Sequence, residues 1–471
     1  MSTSTSAAPI RSVAIRFAGD SGDGMQLTGT RFTHETARAG NDLATRPDFP
    51  AEIRAPAGTI GGVSAFQVHL GSDEIFTAGD ELDVLVAMNP AALRANLADV
   101  KQNGTLICNT DAFTERNLQK VGYDSNPLDD EELSTKYNLV LVAVTELTFE
   151  ALRDVDLPKS SLEKCKNFFA LGVICHMYSR SIEDTKRWIE EKFAKSPLLI
   201  EANMKALRAG QAFAEASEVI GETFDIPQAQ LEKGVYRNIT GNQGIAFGLI
   251  AAGELSGTSV FYSGYPITPA SDILHEVSRY KNFSAITLQA EDEIAACCAA
   301  IGASYVGALG VTASSGPGIL LKQEAIGLAA SAELPLVIIN VQRAGPSTGM
   351  PTKTEQADLL NAFFGRNGEC PIAILAISQP DDAFETTVEA CRIALEHMTP
   401  VMILSDGYIG NGSQPWQVVR QEDLPPIRPH YAKLTPGQTY YPFERDEKTL
   451  ARGWALPGTP GLEHRLGGLE K

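Results

Sequence analysis

The sequence predicts an α/β protein of two consecutive α/β domains with mostly parallel sheets. Three observations carry that prediction. Short apolar, β-branched runs alternate with longer helical stretches along most of the chain. The alternation is interrupted by a polar connector over 221–234, and after residue 415 it gives way to Pro- and Gly-rich sequence. A chain of 471 residues also exceeds one ordinary core. The expected boundaries are 11–220 for a first domain, 221–234 for a linker and 235–415 for a second domain. The remainder, 416–471, reads as an extended tail or the start of a further domain.

In the first domain Val13–Ala18 alternates toward a strand that ends in Gly19-Asp20-Ser21-Gly22-Asp23-Gly24. An amphipathic helix is expected from Met25 to about Ala39. Leu82–Ala87, Thr105–Asn109 and Leu139–Val144 read as further strands, separated by helices over Pro90–Gln102 and then Ser161–Tyr178. Ser181–Phe193 and Leu199–Ile220 close the domain with helices. The second series places strands at Ser259–Tyr262, Ala285–Leu288, Gly310–Ala313, Leu336–Val341, Ile372–Ile377 and Val401–Ser405. The prolines 425, 426, 429, 436, 442, 457 and 460 argue against regular structure in the tail.

Bulk properties exclude some functions. Hydrophobic residues make up 44% and charged residues 21%, ordinary values for a globular protein. No apolar run approaches the ~18 residues needed to span a bilayer. The start, Met1 to Ala8, lacks a basic region followed by an apolar core, so no secretory signal is expected and a cytoplasmic location follows. The net charge of −19 argues against nucleic acid as a partner. Seven cysteines occur without any Cys-x-x-Cys grouping. No metal site is therefore assigned to this chain, and any iron–sulfur cluster must lie on another one.

The first glycine-rich turn, Gly19 to Gly24, has the strand–turn–helix layout of phosphate-cradling loops. Its spacing is not the dinucleotide fingerprint, and a tight turn without a ligand is an equal reading. A long Gly- and Pro-laced loop is expected from Arg46 to Ser64, leading into a strand over Ala65–Leu70. Its two arginines, Arg46 and Arg54, are candidates to meet an anionic ligand.

Three islands in the second domain carry the chemistry. Gly264-Tyr265-Pro266-Ile267-Thr268-Pro269 is stiffened by prolines that fix φ and extend their predecessors, so Thr268 can be held against a ligand. A helix N-cap near Pro269 explains the same residues. Gln289-Ala290-Glu291-Asp292-Glu293 places three acids where a strand hands over to a small-residue helix; complementing the helix dipole is their plain role. Arg343 ends an apolar strand and precedes Gly345-Pro346-Ser347-Thr348-Gly349. An arginine fork binds a planar carboxylate bidentately, or it caps a sheet edge.

Together these islands resemble the pyrimidine-binding domain of the 2-oxoacid:ferredoxin oxidoreductases, over about residues 235–415. The first domain is similar to the γ domain of the same enzymes, on the Gly19–Gly24 turn and the 52–62 loop. The fused order looks most like α subunits of 2-oxoglutarate:ferredoxin oxidoreductases. The resemblance implies thiamine diphosphate shared with a β subunit that holds Mg2+ and a [4Fe-4S] cluster. It also implies an (αβ)2 heterotetramer, coenzyme A as co-substrate and ferredoxin as electron acceptor. By the same resemblance Glu293 is the cofactor-activating acid, with Glu291 the competing candidate. Tyr265, Pro266, Ile267 and Thr268 contact thiamine diphosphate, and Thr268 also lies by the substrate. Arg343 binds the 2-oxo acid carboxylate, with Ser347 and Thr348 lining that pocket, and Arg46 and Arg54 are assigned to coenzyme A phosphates. Such chains usually continue into a further α/β domain, whereas this sequence stops at Lys471, as a shorter form or an incomplete chain. Pyruvate or branched-chain 2-oxo acids are alternative substrates, and a non-catalytic nucleotide-binding scaffold is the alternative from another class.

Overall fold

The apolar runs become the strands of two six-stranded sheets. The computed structural model describes residues 8–50, 55–217, 220, 223–434, 437 and 439–465. It divides into two units, Met1–Gly234 and Val235–Lys471.

In the first unit the main elements run β1 (Ser12–Asp20), α1 (Met25–Arg38), β2 (Asp42–Asp48), β3 (Val63–Gly71), β4 (Leu82–Ala87), α2 (Pro90–Asn96), β5 (Val100–Asn109), β6 (Asn138–Val142), α3 (Lys166–Met177) and α4 (Pro197–Ala216), with further helices, among them Glu183–Lys192, and a short parallel pair Ala8–Pro9 with Phe224–Asp225 besides. The sheet order is β2-β3-β1-β4-β5-β6. Pairing is parallel from β1 through β4 and β5 to β6, and only β3 runs against its neighbours. Two sequence expectations are corrected here. The loop expected from Arg46 starts later, because Arg46-Pro47-Asp48 complete β2; a proline is tolerated there because β2 is an edge strand. The helix expected over Pro90–Gln102 stops at Asn96, followed by a 3-10 turn over Leu97–Asp99 and then β5.

The second unit runs β7 (Tyr236–Thr240), α5 (Gly241–Ser256), β8 (Val260–Gly264), α6 (Ser271–Val277), β9 (Ala285–Gln289), α7 (Glu293–Tyr305), β10 (Leu309–Ser314), α8 (Gly316–Leu321), α9 (Gln323–Ser331), β11 (Leu336–Gln342), β12 (Ala373–Ala376), α10 (Ala383–His397), β13 (Pro400–Asp406) and β14 (Ser413–Gln417). Its sheet, β9-β8-β10-β11-β13-β12, is parallel throughout. Every residue of β10, β11 and β13 is buried, as a parallel sheet covered on both faces requires. Each Val, Ile or Leu so buried contributes roughly 1.5–3 kcal/mol, so the central strands form a rigid platform.

The antiparallel pair β7–β14 was not expected from the sequence. Thr240, the last residue of β7, opens α5 with a capping box, its hydroxyl accepting from the Gln243 N–H and its own N–H donating to the Gln243 side chain. Beyond β14 regular structure is sparse, yet the tail is packed rather than extended. Trp454 is 1% exposed, donates from Nε1 to Ser304 O at 3.1 Å and stacks on Tyr431 at 5.6 Å. Among the described residues no helix is long and apolar enough to cross a membrane.

Candidate active site

Parallel sheets bind ligands outside the carboxyl ends of their strands, where the chain changes winding direction. In the second unit that point lies at β8, which has β9 on one side and β10 on the other. The chain leaves β8 at Gly264, β9 at Gln289, β10 at Ser314 and β11 at Gln342. All three sequence islands therefore follow carboxyl ends of strands of this sheet, β8, β9 and β11, with β10 standing between β8 and β11.

The acidic triplet divides its labour. Asp292 is the N-cap of α7, its Oδ1 accepting from Ala295 N at 2.9 Å. Glu291 is exposed, whereas Glu293, the first helical residue, is half-buried. The Glu293 side chain lies over Gly318 in the first turn of α8. A Cβ at Gly318 would sit 2.7 Å from Glu293 Cγ, 3.2 Å from its Oε1 and 2.0 Å from Ser314 Oγ. Only glycine leaves space for that carboxyl. The Ser314 hydroxyl beside it is buried and has no hydrogen-bond partner, and neither have the buried hydroxyls of Ser263 and Ser315.

The proline-stiffened loop is fixed from below. Ser271 Oγ accepts from Ile267 N at 2.9 Å and donates to Ile267 O at 3.1 Å, and Asn242 Nδ2 donates to Pro269 O at 3.1 Å. Thr268–Pro269 is a cis peptide, and neither Thr268 nor Ser271 caps α6, whose N-cap is Ala270. Tyr265, Pro266 and Thr268 are exposed and Ile267 half-buried, so the loop presents its side chains outward.

Arg343 joins the loops. Its Nη1 donates to Thr268 O at 2.9 Å and its Nη2 to Thr348 O at 2.7 Å, while Nε is buried without a partner. Two of the five N–H donors are thus spent on main-chain carbonyls, leaving Nε–H and one hydrogen on each terminal nitrogen for a ligand. Burial lowers the proton affinity of the guanidinium, and the charge of Glu293 opposes that shift. The turn beyond needs its glycine, because Gly349 has φ 58° and a Cβ there would lie 1.7 Å from Ala344 O. Ser347 and Thr348 are exposed on this turn.

Sequence reasoning missed Lys322. It is fully buried at the junction of α8 and α9, with Nζ donating to Thr312 Oγ1 at 2.8 Å and Ala313 O at 3.3 Å. Burial lowers its pKa to about 8, with Cys297 and Glu293 pulling it back up. A lone lysine inside Gly316-Pro-Gly-Ile-Leu-Leu-Lys322 was the available signal. The clustered orphan hydroxyls, the unpartnered Arg343 Nε and the carboxyl lodged over Gly318 form a polar setting that fits an aminopyrimidine ring.

The first unit gives a different picture. The Gly19–Gly24 turn is closed by its own acids: Asp20 N donates to Asp23 Oδ2 at 2.9 Å, and Gly58 N donates to the Asp20 carboxylate at 3.0 Å. Lys166 pairs with Asp23 at 2.8 Å. This internal neutralisation favours a structural turn over a phosphate cradle. A cleft of about 590 Å³ lies beside it, lined by Asp20, Asp23, Asn109, Asp111, Lys164 and Lys166 among others. Arg46 is half-buried on β2, opposite Gln67 of β3, and Arg54 lies outside the described residues.

Both units match known protein families. Residues 252–471 match the model of the thiamine diphosphate-binding domain of pyruvate flavodoxin/ferredoxin oxidoreductases, and residues 14–213 match that of the pyruvate ferredoxin/flavodoxin oxidoreductase domain. The chain is 57% identical to the 2-oxoglutarate oxidoreductase subunit KorA of Mycobacterium tuberculosis, over 98% of this chain and 70% of the relative. It is 47% identical to a 2-oxoglutarate synthase subunit KorA of Archaeoglobus fulgidus, over 37% of this chain and 49% of that one. Among solved structures, the 2-oxoglutarate:ferredoxin oxidoreductase of Magnetococcus marinus, with 2-oxoglutarate, coenzyme A and succinyl-CoA bound, matches with a TM-score of 0.82 at 30% identity. That match covers 98% of this chain and 74% of the other. The chain belongs to the 2-oxoacid:ferredoxin oxidoreductase family.

Proposed function

We propose that this chain is the α subunit of a 2-oxoglutarate:ferredoxin oxidoreductase. The reaction converts 2-oxoglutarate and coenzyme A to succinyl-CoA and carbon dioxide, and its two electrons pass to ferredoxin. The observation that carries the reading is the Glu293 carboxyl lodged over Gly318, at the carboxyl ends of the same sheet as Arg343 and its tied loops. Identity to the mycobacterial KorA supports the choice of substrate.

Bound thiamine diphosphate supplies a nucleophilic carbon and an electron sink for decarboxylation. Glu293 holds and moves a proton at its carboxyl oxygens toward the pyrimidine ring nitrogen. Tyr265, Pro266, Ile267 and Thr268 form one wall of the cofactor site. Arg343 offers its remaining N–H groups to the substrate carboxylate, with Thr268, Ser347 and Thr348 around it. In this reading a β subunit contributes the Mg2+–diphosphate half and the [4Fe-4S] cluster, the assembly is (αβ)2, and the setting is the cytoplasm. Arg46 and Arg54 are assigned to coenzyme A phosphates; an unchanged coenzyme A affinity in Arg46→Ala would remove Arg46 from that role.

The test is dye reduction by the chain co-expressed with its β subunit, with thiamine diphosphate, Mg2+ and coenzyme A, on 2-oxoglutarate and pyruvate in parallel. Coenzyme A-dependent reduction on 2-oxoglutarate, lost in Glu293→Ala, is expected. Activity on pyruvate alone keeps the chemistry and changes the substrate. No reduction by an assembled complex containing its cluster overturns the reading in favour of a non-catalytic subunit.

A further inference from the structure

Side chains on β10 alternate between the two faces of the sheet, so Gly310, Thr312 and Ser314 share one face. That face meets α7 and α8. A Cβ at Gly310 would lie 2.4 Å from Ser304 Oγ, and one at Gly318 would lie 2.0 Å from Ser314 Oγ. The polar groups along this face are paired in turn. Ser304 Oγ accepts from Gly310 N at 3.1 Å and donates to Pro335 O, and Thr312 Oγ1 accepts from Lys322 Nζ at 2.8 Å. Ser314, the last in the row, is fully buried, and its hydroxyl has no partner. A buried hydroxyl without a partner costs free energy that an alanine would avoid, so packing alone does not account for the serine.

What shares its space supplies a reason. The point that a Gly318 Cβ would occupy is 2.0 Å from Ser314 Oγ, 2.7 Å from Glu293 Cγ and 3.2 Å from Glu293 Oε1. Hydroxyl and carboxyl therefore converge on one gap, opened by the missing side chain at Gly318. The hydroxyl has a hydrogen to give, and the carboxyl oxygens accept. Rotation about the Ser314 Cα–Cβ bond moves the hydroxyl without moving the backbone. Asp292 fixes the start of α7 from the N-cap, which leaves the Glu293 side-chain torsions to be set by what surrounds the carboxyl. Ser263 and Ser315 also carry unpartnered buried hydroxyls, but the atoms nearest the gap belong to Ser314 and Glu293.

We propose that Ser314 is a positioning residue for Glu293, its buried hydroxyl donating to the Glu293 carboxyl and holding it in the seat over Gly318 from which it meets the pyrimidine ring of thiamine diphosphate. The proposal rests on the cofactor reading above. A carboxyl held in this way is ordered before the cofactor arrives; without the hydroxyl, its ordering is charged against binding.

The test uses the complex with its β subunit, comparing wild type, Ser314→Ala and Ser314→Cys. Two quantities are measured: the unfolding temperature of the cofactor-free complex, and the affinity for thiamine diphosphate with Mg2+, from calorimetry. The affinity is measured again for an analogue with carbon in place of the pyrimidine nitrogen that meets the carboxyl. Cofactor-free Ser314→Ala should unfold at or above the wild-type temperature. Its affinity for thiamine diphosphate should fall by about tenfold, the worth of one hydrogen bond to a charged group. Ser314→Cys, a weak donor of similar volume, should follow the alanine variant. The analogue, which makes no bond to Glu293, should bind all three complexes equally. Unchanged thiamine diphosphate affinity in Ser314→Ala, a loss just as large for the analogue, or a Ser314→Cys complex that matches wild type overturns the proposal and leaves the cofactor reading standing. A Ser314→Ala complex that unfolds at lower temperature or fails to assemble makes Ser314 structural and also overturns the proposal. Absence of thiamine diphosphate binding by the assembled wild-type complex overturns both.

Discussion

The Arg343 guanidinium donates to the main-chain carbonyl of Thr268 at 2.9 Å, across 75 positions of sequence. A second terminal nitrogen donates to Thr348 O at 2.7 Å. One side chain thus pins two loops that leave different strands, and its remaining hydrogens are aimed by that attachment. Lysine can supply the charge but cannot make both bonds and still present a fork. Arg343→Lys should therefore lose more than the substrate contact. We expect kcat/KM for the 2-oxo acid to fall by about 10²-fold, near 2.7 kcal/mol, with kcat and KM both affected because the Thr268 loop loosens. A KM effect alone, with kcat intact, would show that Arg343 binds substrate without ordering the loops.

Glu293 and Glu291 stand two residues apart and point to different environments. Glu291 is exposed, and Glu293 is half-buried over Gly318. If proton exchange at Glu293 drives activation of the cofactor, Glu293→Gln should lower kcat by about 10²–10⁴-fold, the range of a lost general acid–base group. Glu291→Gln should stay within about threefold of wild type, since surface substitutions seldom move more than ~0.5 kcal/mol. Steady-state rates at saturating thiamine diphosphate separate the two, and the opposite ranking would reassign the role to Glu291.

Gly318 converts a backbone detail into a measurable constraint. An added methyl would meet Ser314 Oγ at 2.0 Å and Glu293 Cγ at 2.7 Å. Serine can rotate away, but the glutamate stem can move only outward from its seat. Gly318→Ala should cost about 1–3 kcal/mol in stability through overpacking. It should also cost about 10²-fold in kcat, because a displacement near 1 Å suffices for that. Full activity in a stable Gly318→Ala complex would mean that the carboxyl works from another position.

Much of this was legible before folding because buried parallel strands are continuous apolar runs, which sequence reveals directly. All six strands of the second sheet were located to within two residues at each end. What stayed hidden depended on partners far away in sequence. Ser413-Gln-Pro-Trp-Gln417 alternates poorly and contains a proline, so its pairing with Tyr236–Thr240 left no local mark. Arg46-Pro47-Asp48 reads as loop, and becomes strand because Gln67, Phe66 and Ala65 lie opposite. The helix expected beyond Asn96 was cut short by β5, whose Val100-Lys-Gln-Asn start carries no apolar pattern. Among the candidate site residues, the islands point to Glu293, Thr268 and Arg343 but not to their relations. That Arg343 spends two donors on main-chain carbonyls, and that Lys322 is buried against Thr312 and Ala313, are facts of three-dimensional packing alone.

The buried amine of Lys322 makes a further prediction about stability. Its folded-state pKa is about 8 against an ordinary 10.5, chiefly because burial disfavours the ion. Between those values the unfolded chain binds more protons than the folded one, so stability must rise with pH across that window. The penalty is fully present below about pH 8 and is gone above about 10.5; a shift of this size corresponds to roughly 3 kcal/mol. Lys322→Met removes the titrating group and with it this contribution to the slope. It also deprives Thr312 Oγ1 and Ala313 O of a donor, at about 1–2 kcal/mol, but that cost does not vary with pH. Slope, and not absolute stability, is therefore the diagnostic. Denaturant unfolding of wild type and Lys322→Met at intervals from pH 7 to 10.5 should give curves that converge or cross as pH rises, wild type gaining on the variant. Parallel curves would show that Lys322 keeps its proton throughout, as one half of a satisfied buried ion pair.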